Sequence, residues 1–123
     1  KSYFQGNKMS REKIVEESLG PEDKTQRSYE GRLDGVFGIL SMSKRKLIFI
    51  TEKGIFRKSY NLILDLPYEK IKSIRTEKKY NLIIETEDLK HTFVPPGRHV
   101  PTAEEALREL METEPKDEGP GPI

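Results

Sequence analysis

Between Leu33 and Val94 the apolar residues fall into strand-length runs, and every run ends on turn chemistry. Asp34-Gly35 is the strongest of these signals. A two-residue hairpin turn of type I′ needs positive φ at both central positions, and Asp-Gly accepts that at little strain. It separates a strand ending at Leu33 from one beginning at Val36. Gly38, inside the second strand, marks a bulge or a close backbone approach. Ser43-Lys44-Arg45 turns the chain into the continuous apolar run Lys46–Thr51, and Glu52-Lys53-Gly54 is the next turn. Ile55 to Tyr60 alternates, Asn61 breaks the pattern, and Leu62–Leu66 follows until Pro67 ends it. Ile71 and Ile74, three apart, suit a strand with a bulge at its start. Tyr80, Leu82, Ile84 and Thr86 alternate; Glu87-Asp88 turns the chain into Leu89, His91 and Phe93 on one face.

Two helical segments flank these strands. Ser10 is placed to cap a short helix with Ile14, Val15 and Leu19 as a narrow apolar stripe, and Gly20-Pro21 stops it. Glu22 to Arg27 reads as a polar linker, with the strands starting at Ser28. At the other end Pro101-Thr102 opens a helix, Thr102 and Glu105 forming a capping box. Ala103, Ala106, Leu107, Leu110 and Met111 share one face of it. The reading is mainly β (α+β): about seven short antiparallel strands, a short N-terminal helix and a C-terminal amphipathic helix that covers the apolar face of the sheet. Residues 9–27 form the first helix and linker, and residues 28–113 the main domain. Tyr3-Phe4-Gln5-Gly6 matches the end of a tag-cleavage sequence, so residues 1–8 read as a non-native or disordered start. Residues 114–123 hold three prolines, two glycines and four charges, the composition of a disordered tail.

Of 123 residues, 35% are charged and 33% hydrophobic, enough for one domain with a modest core. The chain has no cysteine and no tryptophan, and only two histidines. Disulfides, thiolate metal sites and cysteine nucleophiles are thereby excluded. No apolar stretch reaches the ~20 residues of a membrane-spanning helix. The net charge of +1 conceals an asymmetry. Residues 31–100 carry 14 Lys and Arg against 8 Asp and Glu, whereas residues 101–123 carry 2 against 7.

Three segments in order resemble the short bacterial and archaeal PH-like domains related to GRAM domains. Gly38–Phe49 resembles their second and third strands, Leu66–Ile74 their next apolar-Pro segment, and Leu82–Asp88 with Phe93 the hairpin before the closing helix. The resemblance spans about residues 28–113. Ser43, Lys46 and Leu89 depart from the usual Thr, Arg and turn glycine. It implies a partly open seven-stranded antiparallel barrel capped by the C-terminal helix. Domains of this fold bind lipids, peptides or other proteins, or simply oligomerise, so the fold alone does not choose among them. The basic residues of a phosphoinositide site are missing from the Asp34-Gly35 turn, where Arg32 stands alone.

The candidate site for a lipid or partner is Lys53, Ile55, Phe56, Arg57 and Lys58: two large apolar residues beside a turn, between cations. Such a loop can enter a bilayer while its cations meet anionic headgroups, each contributing about 1 kcal/mol. The plainer reading, and the favoured one, has Ile55 and Phe56 begin a strand, one facing the core and one covering a neighbour. Lys70, Lys72, Arg75, Lys78 and Lys79 form a secondary basic face near Tyr68 and Tyr80. Alternating lysines are the ordinary solvent face of a strand, so nucleic-acid binding is not expected. His91 faces the core side or the barrel mouth, and His99 lies in a proline-bounded loop. They offer no metal-ligand spacing, no catalytic constellation stands out, and no cofactor is expected. The expectation is a non-catalytic binding module acting in protein–protein contact or self-assembly as a homo-oligomer. The alternative is a peripheral membrane module reading anionic lipid through Lys53–Lys58. Absence of cysteine and richness in Lys and Glu fit a cytoplasmic setting, with a peripheral place at the inner membrane surface under the second reading.

Overall fold

The computed structural model describes residues 10–95 and 100–112. Helix α1 (Arg11–Leu19) starts where Ser10 accepts a hydrogen bond from the Lys13 amide, and ends where Gly20 turns to φ +86°. Strands β1 (Thr25–Leu33), β2 (Val36–Ser43), β3 (Lys46–Lys53) and β4 (Ser59–Pro67) form an antiparallel meander. A single 3-10 turn, Tyr68–Lys70, leads to β5 (Ser73–Glu77), β6 (Asn81–Glu85), β7 (Lys90–Val94) and helix α2 (Val100–Glu112). The seven strands form one sheet in the order β4-β3-β2-β1-β7-β6-β5. Its two halves join at a short seam, Arg32 opposite Val94 and Leu33 opposite Phe93.

The continuous apolar run of β3 is buried on both faces. Leu47 and Phe49 face inward to a core with Leu40, Met42, Leu82, Ile84 and Phe93, closed by Ala103, Ala106 and Leu107 of α2. Phe49 meets Phe93 edge to face at 6.2 Å between ring centres. Ile48 and Ile50 face outward and pack under Ile14 of α1, with Val15, Leu19 and Tyr60 around them. Helix α1 therefore covers one face of β3 and the main core the other, and strict alternation of polar and apolar residues is lost there.

The Asp34-Gly35 turn is as expected, with φ of 51° and 88°. Gly38 is a close approach rather than a bulge: a Cβ there would lie 2.3 Å from the Ile50 carbonyl oxygen and 2.8 Å from the Phe49 ring. Several boundaries differ from the sequence reading. Strand β1 begins at Thr25, so half of the supposed linker is strand, paired from Thr25 opposite Ser43. Residues 55–58 are not strand, and Asn61 lies within β4 opposite Thr51, because β4 resumes only at Ser59 after the chain has turned back. The irregularity expected near Ile71 falls elsewhere. The 3-10 turn delivers both Ile71 and Ile74 to the core, β5 pairs regularly with β6, and the extra residue is Ile63, between Leu62 opposite Ile50 and Leu64 opposite Phe49.

Tyr80 lies in the β5–β6 turn and Leu89, 61% exposed, in the β6–β7 turn; neither joins its strand's inward face. Helix α2 begins at Val100, so Thr102 stands inside its first turn rather than at its cap. Residues 1–8, His99 and residues 114–123 lie outside the described residues.

Candidate functional site

Strand β3 ends at Lys53, and the chain reverses through Gly54 at φ +102°. A Cβ at that position would lie 2.2 Å from the Arg57 carbonyl oxygen, so only glycine allows this loop to fold back so tightly. The reversal leaves Ile55 83% and Phe56 96% exposed. This overturns the favoured expectation that they begin a strand: the turn holds them beyond the sheet's end, where no neighbouring strand can receive them. Lys58 closes the loop by pairing with Glu52 at 2.7 Å, and the Glu52 carboxylate raises the Lys58 pKa by hydrogen bond and charge. Lys53 and Arg57 are exposed and make no ion pair among the described residues. All five predicted site residues thus lie in one exposed stretch, two bare apolar side chains beside two uncommitted cations.

Two further apolar side chains are exposed in β4. Leu62 is 37% and Ile63 46% exposed. Strand β4 is the terminal strand of the sheet, and Asp65 is its only charged residue, already paired with Lys46 at 2.9 Å. The sequence shows Leu62–Leu66 only as a run that Pro67 ends. The extra residue at Ile63, which turns an apolar side chain outward, has no signature in the local pattern. The antiparallel meander also places the β1–β2 turn at the same end as the β3–β4 loop. There Val36 and Phe37 are 38% and 39% exposed, and the Arg32 guanidinium stands 6.0 Å from the centre of the Phe37 ring.

The secondary basic residues are not gathered in the same way. Lys70 closes the 3-10 turn, Lys72 lies between that turn and β5, and Lys78 and Lys79 occupy the β5–β6 turn with φ of 54° and 69°. Arg75 is committed to Glu77 at 2.7 Å and Glu85 at 3.3 Å. These pairs raise its pKa and, with Ser73 leading at Glu85, hold both carboxyls below their ordinary range. His91 bonds Asp34 at 2.8 Å, tying β7 to the β1–β2 turn. Among the described residues no three His, Asp or Glu side chains are grouped to hold a metal ion, and no helix is long and apolar enough to cross a membrane.

No protein-family model matches the chain, and no curated protein matches it. Its fold is similar to a crystal structure of the C-terminal domain of an unknown protein from Leishmania infantum, with a TM-score of 0.56 and 16% identity. The likeness covers 84% of this chain and 99% of that one. At that identity it concerns the fold alone: mainly β, with a seven-stranded antiparallel sheet and two helices among the described residues.

Proposed function

We propose that this chain is a non-catalytic binding module of the PH-like kind, acting through protein–protein contact along the β3–β4 loop and the β4 edge. One observation carries the reading. The segment from Ile55 to Ile63 exposes four large apolar side chains, and the structure packs none of them fully away. Isolated apolar side chains on a surface need no explanation, but two pairs of them within nine residues, one in the loop and one on the open edge strand it leads into, are the pattern of a contact surface. The unbonded backbone of a terminal strand supplies hydrogen-bonding groups, and the exposed side chains supply selectivity. The PH-like resemblance supports the architecture, with the strands closing around α2 as a partly open barrel.

A photoreactive benzophenone amino acid at position 56 tests this in cells, with position 89 on the β6–β7 turn as an exposed control. Protein adducts are expected at 56 and not at 89. Adducts to lipid alone, or none, would sink the reading.

The uncommitted cations Lys53 and Arg57 beside Phe56 favour a second reading, peripheral docking on an anionic membrane surface. Salt-sensitive co-sedimentation with phosphatidylserine vesicles, abolished by Phe56→Asp, would establish it. No binding at low salt would remove it.

A further inference from the structure

We infer that the occupant of the β4 edge is β4 of a second copy of this chain, the two strands running antiparallel about a two-fold axis at Ile63. This rests on the protein-contact reading above. The sheet has two terminal strands, and the fold treats them differently. At β5 the side chains of α2 reach in: Arg108 donates to the Ile74 carbonyl at 2.6 Å, and Glu104 accepts from Thr76. Strand β5 also carries Arg75 and Glu77, the kind of charges that discourage edge pairing. Strand β4 carries a single charge, Asp65, which Lys46 of β3 holds at 2.9 Å. It is nine residues long, and its hydrogen-bonded strand neighbour is β3 alone.

Its sequence is self-complementary about the bulge. Ile63 divides β4 into arms of equal length, Ser59–Leu62 and Leu64–Pro67, so an antiparallel pair brings bulge to bulge and leaves each arm facing the other arm of its copy. The exposed Leu62 and Ile63 of both chains then gather at the centre. Charge agrees with this register. Arg57 and Glu69 lie six residues either side of Ile63, both are exposed, and neither has an ion pair among the described residues. The two-fold axis sets Arg57 of each copy at the end where Glu69 of the other lies. Lys70 shares the 3-10 turn with Glu69. The interface is isologous and closes at a dimer.

Sedimentation equilibrium of the whole chain over a concentration series tests the inference, with amide exchange on dilute and concentrated samples. A monomer–dimer equilibrium is expected, weakened by salt, with Ser59–Leu66 amides slowed on concentration. Ile63→Lys should raise the dissociation constant at least about tenfold. Arg57→Glu and Glu69→Arg should each weaken the dimer, and the double variant should restore it. A chain that stays monomeric, a dimer indifferent to these substitutions, or concentration-dependent protection outside β4 would overturn the inference. If the chain is monomeric while position 56 still crosslinks another protein, the second copy is wrong and the contact surface stands. If both fail, the reading beneath it falls too.

Discussion

Asp23 accepts a 2.7 Å hydrogen bond from the Ser43 hydroxyl, joining the start of β1 to the β2–β3 turn. The other Asp23 oxygen accepts from the Lys24 and Lys44 amides at 2.9 and 3.0 Å. Ser43 in turn accepts from the Arg45 and Lys46 amides, and its carbonyl takes the Tyr68 hydroxyl at 2.6 Å. Asp23 and Ser43 are both buried, and every hydrogen bond keeps the carboxylate or the turn from standing unsatisfied in the interior. This polar group fastens the segment after α1, the β2–β3 turn and the end of β4 together. It lies at the opposite end of the meander from the exposed Phe56 loop.

Asp23→Ala removes the acceptor of the Lys24 and Lys44 amides and of the buried Ser43 hydroxyl. It should lower unfolding free energy by about 2–3 kcal/mol, the scale of hydrogen bonds to a charged group. Urea denaturation measures it. A loss no larger than that of an exposed carboxylate such as Glu87→Ala would mean that the network does not hold this end of the sheet.

Gly38 has no room for a methyl group, since the obstruction includes the Ile50 backbone as well as the Phe49 ring. Gly38→Ala should destabilise by about 1–3 kcal/mol through forced backbone and ring shifts. Gly35→Asn should be nearly neutral, because asparagine tolerates the left-handed turn conformation there. Thermal melts of the two variants, side by side, separate a steric demand from a conformational one.

Two phenylalanines should respond in opposite ways. Phe93 is fully buried against Phe49, and Phe93→Ala should reduce stability by about 3–5 kcal/mol. Phe56 is 96% exposed, and Phe56→Ala should stay within about 0.5 kcal/mol of the parent. A large loss from Phe56→Ala in dilute monomer would show that its side chain packs within its own chain.

Acid should loosen α2 from β5. The Thr76 hydroxyl, foremost, and the Arg108 guanidinium hold the Glu104 carboxyl below the ordinary carboxylate range. A carboxyl whose folded pKa is depressed contributes stability that is present above its unfolded value, about 4.3, and is lost as pH falls through the folded one. The melting temperature should therefore decline on acidification below that value, and more shallowly for Glu104→Gln. Identical slopes in parent and variant would rule out Glu104 as a source of the acid sensitivity.

Much of the architecture was legible because it depends on neighbours in sequence. Asp34-Gly35 selects its turn through the φ values of two residues, Gly20-Pro21 stops a helix, and the spacing of Ala103, Ala106 and Leu107 defines one face of α2. Within the alternating run Ile55–Tyr60, periodicity did not distinguish residues 55–58, which are loop, from Ser59 and Tyr60, which are strand. Alternation is a property of the list of residues, whereas pairing depends on where β3 lets the chain turn. The same limit applies to β3, whose apolar run showed that it is buried but not that α1 covers Ile48 and Ile50 while the α2 side receives Leu47 and Phe49.

The sequence by itself determined the strand-rich composition, the short turns and the one-sided C-terminal helix, since turn chemistry and side-chain period act within a few residues. Only the tertiary structure decided that Asp23 is a buried acceptor for Ser43, that Ile63 is an extra residue on an open edge, and that Phe56 is left in water. Each of those depends on segments distant in sequence meeting, or failing to meet, in space. The free energy of burying or exposing a side chain is set by those neighbours.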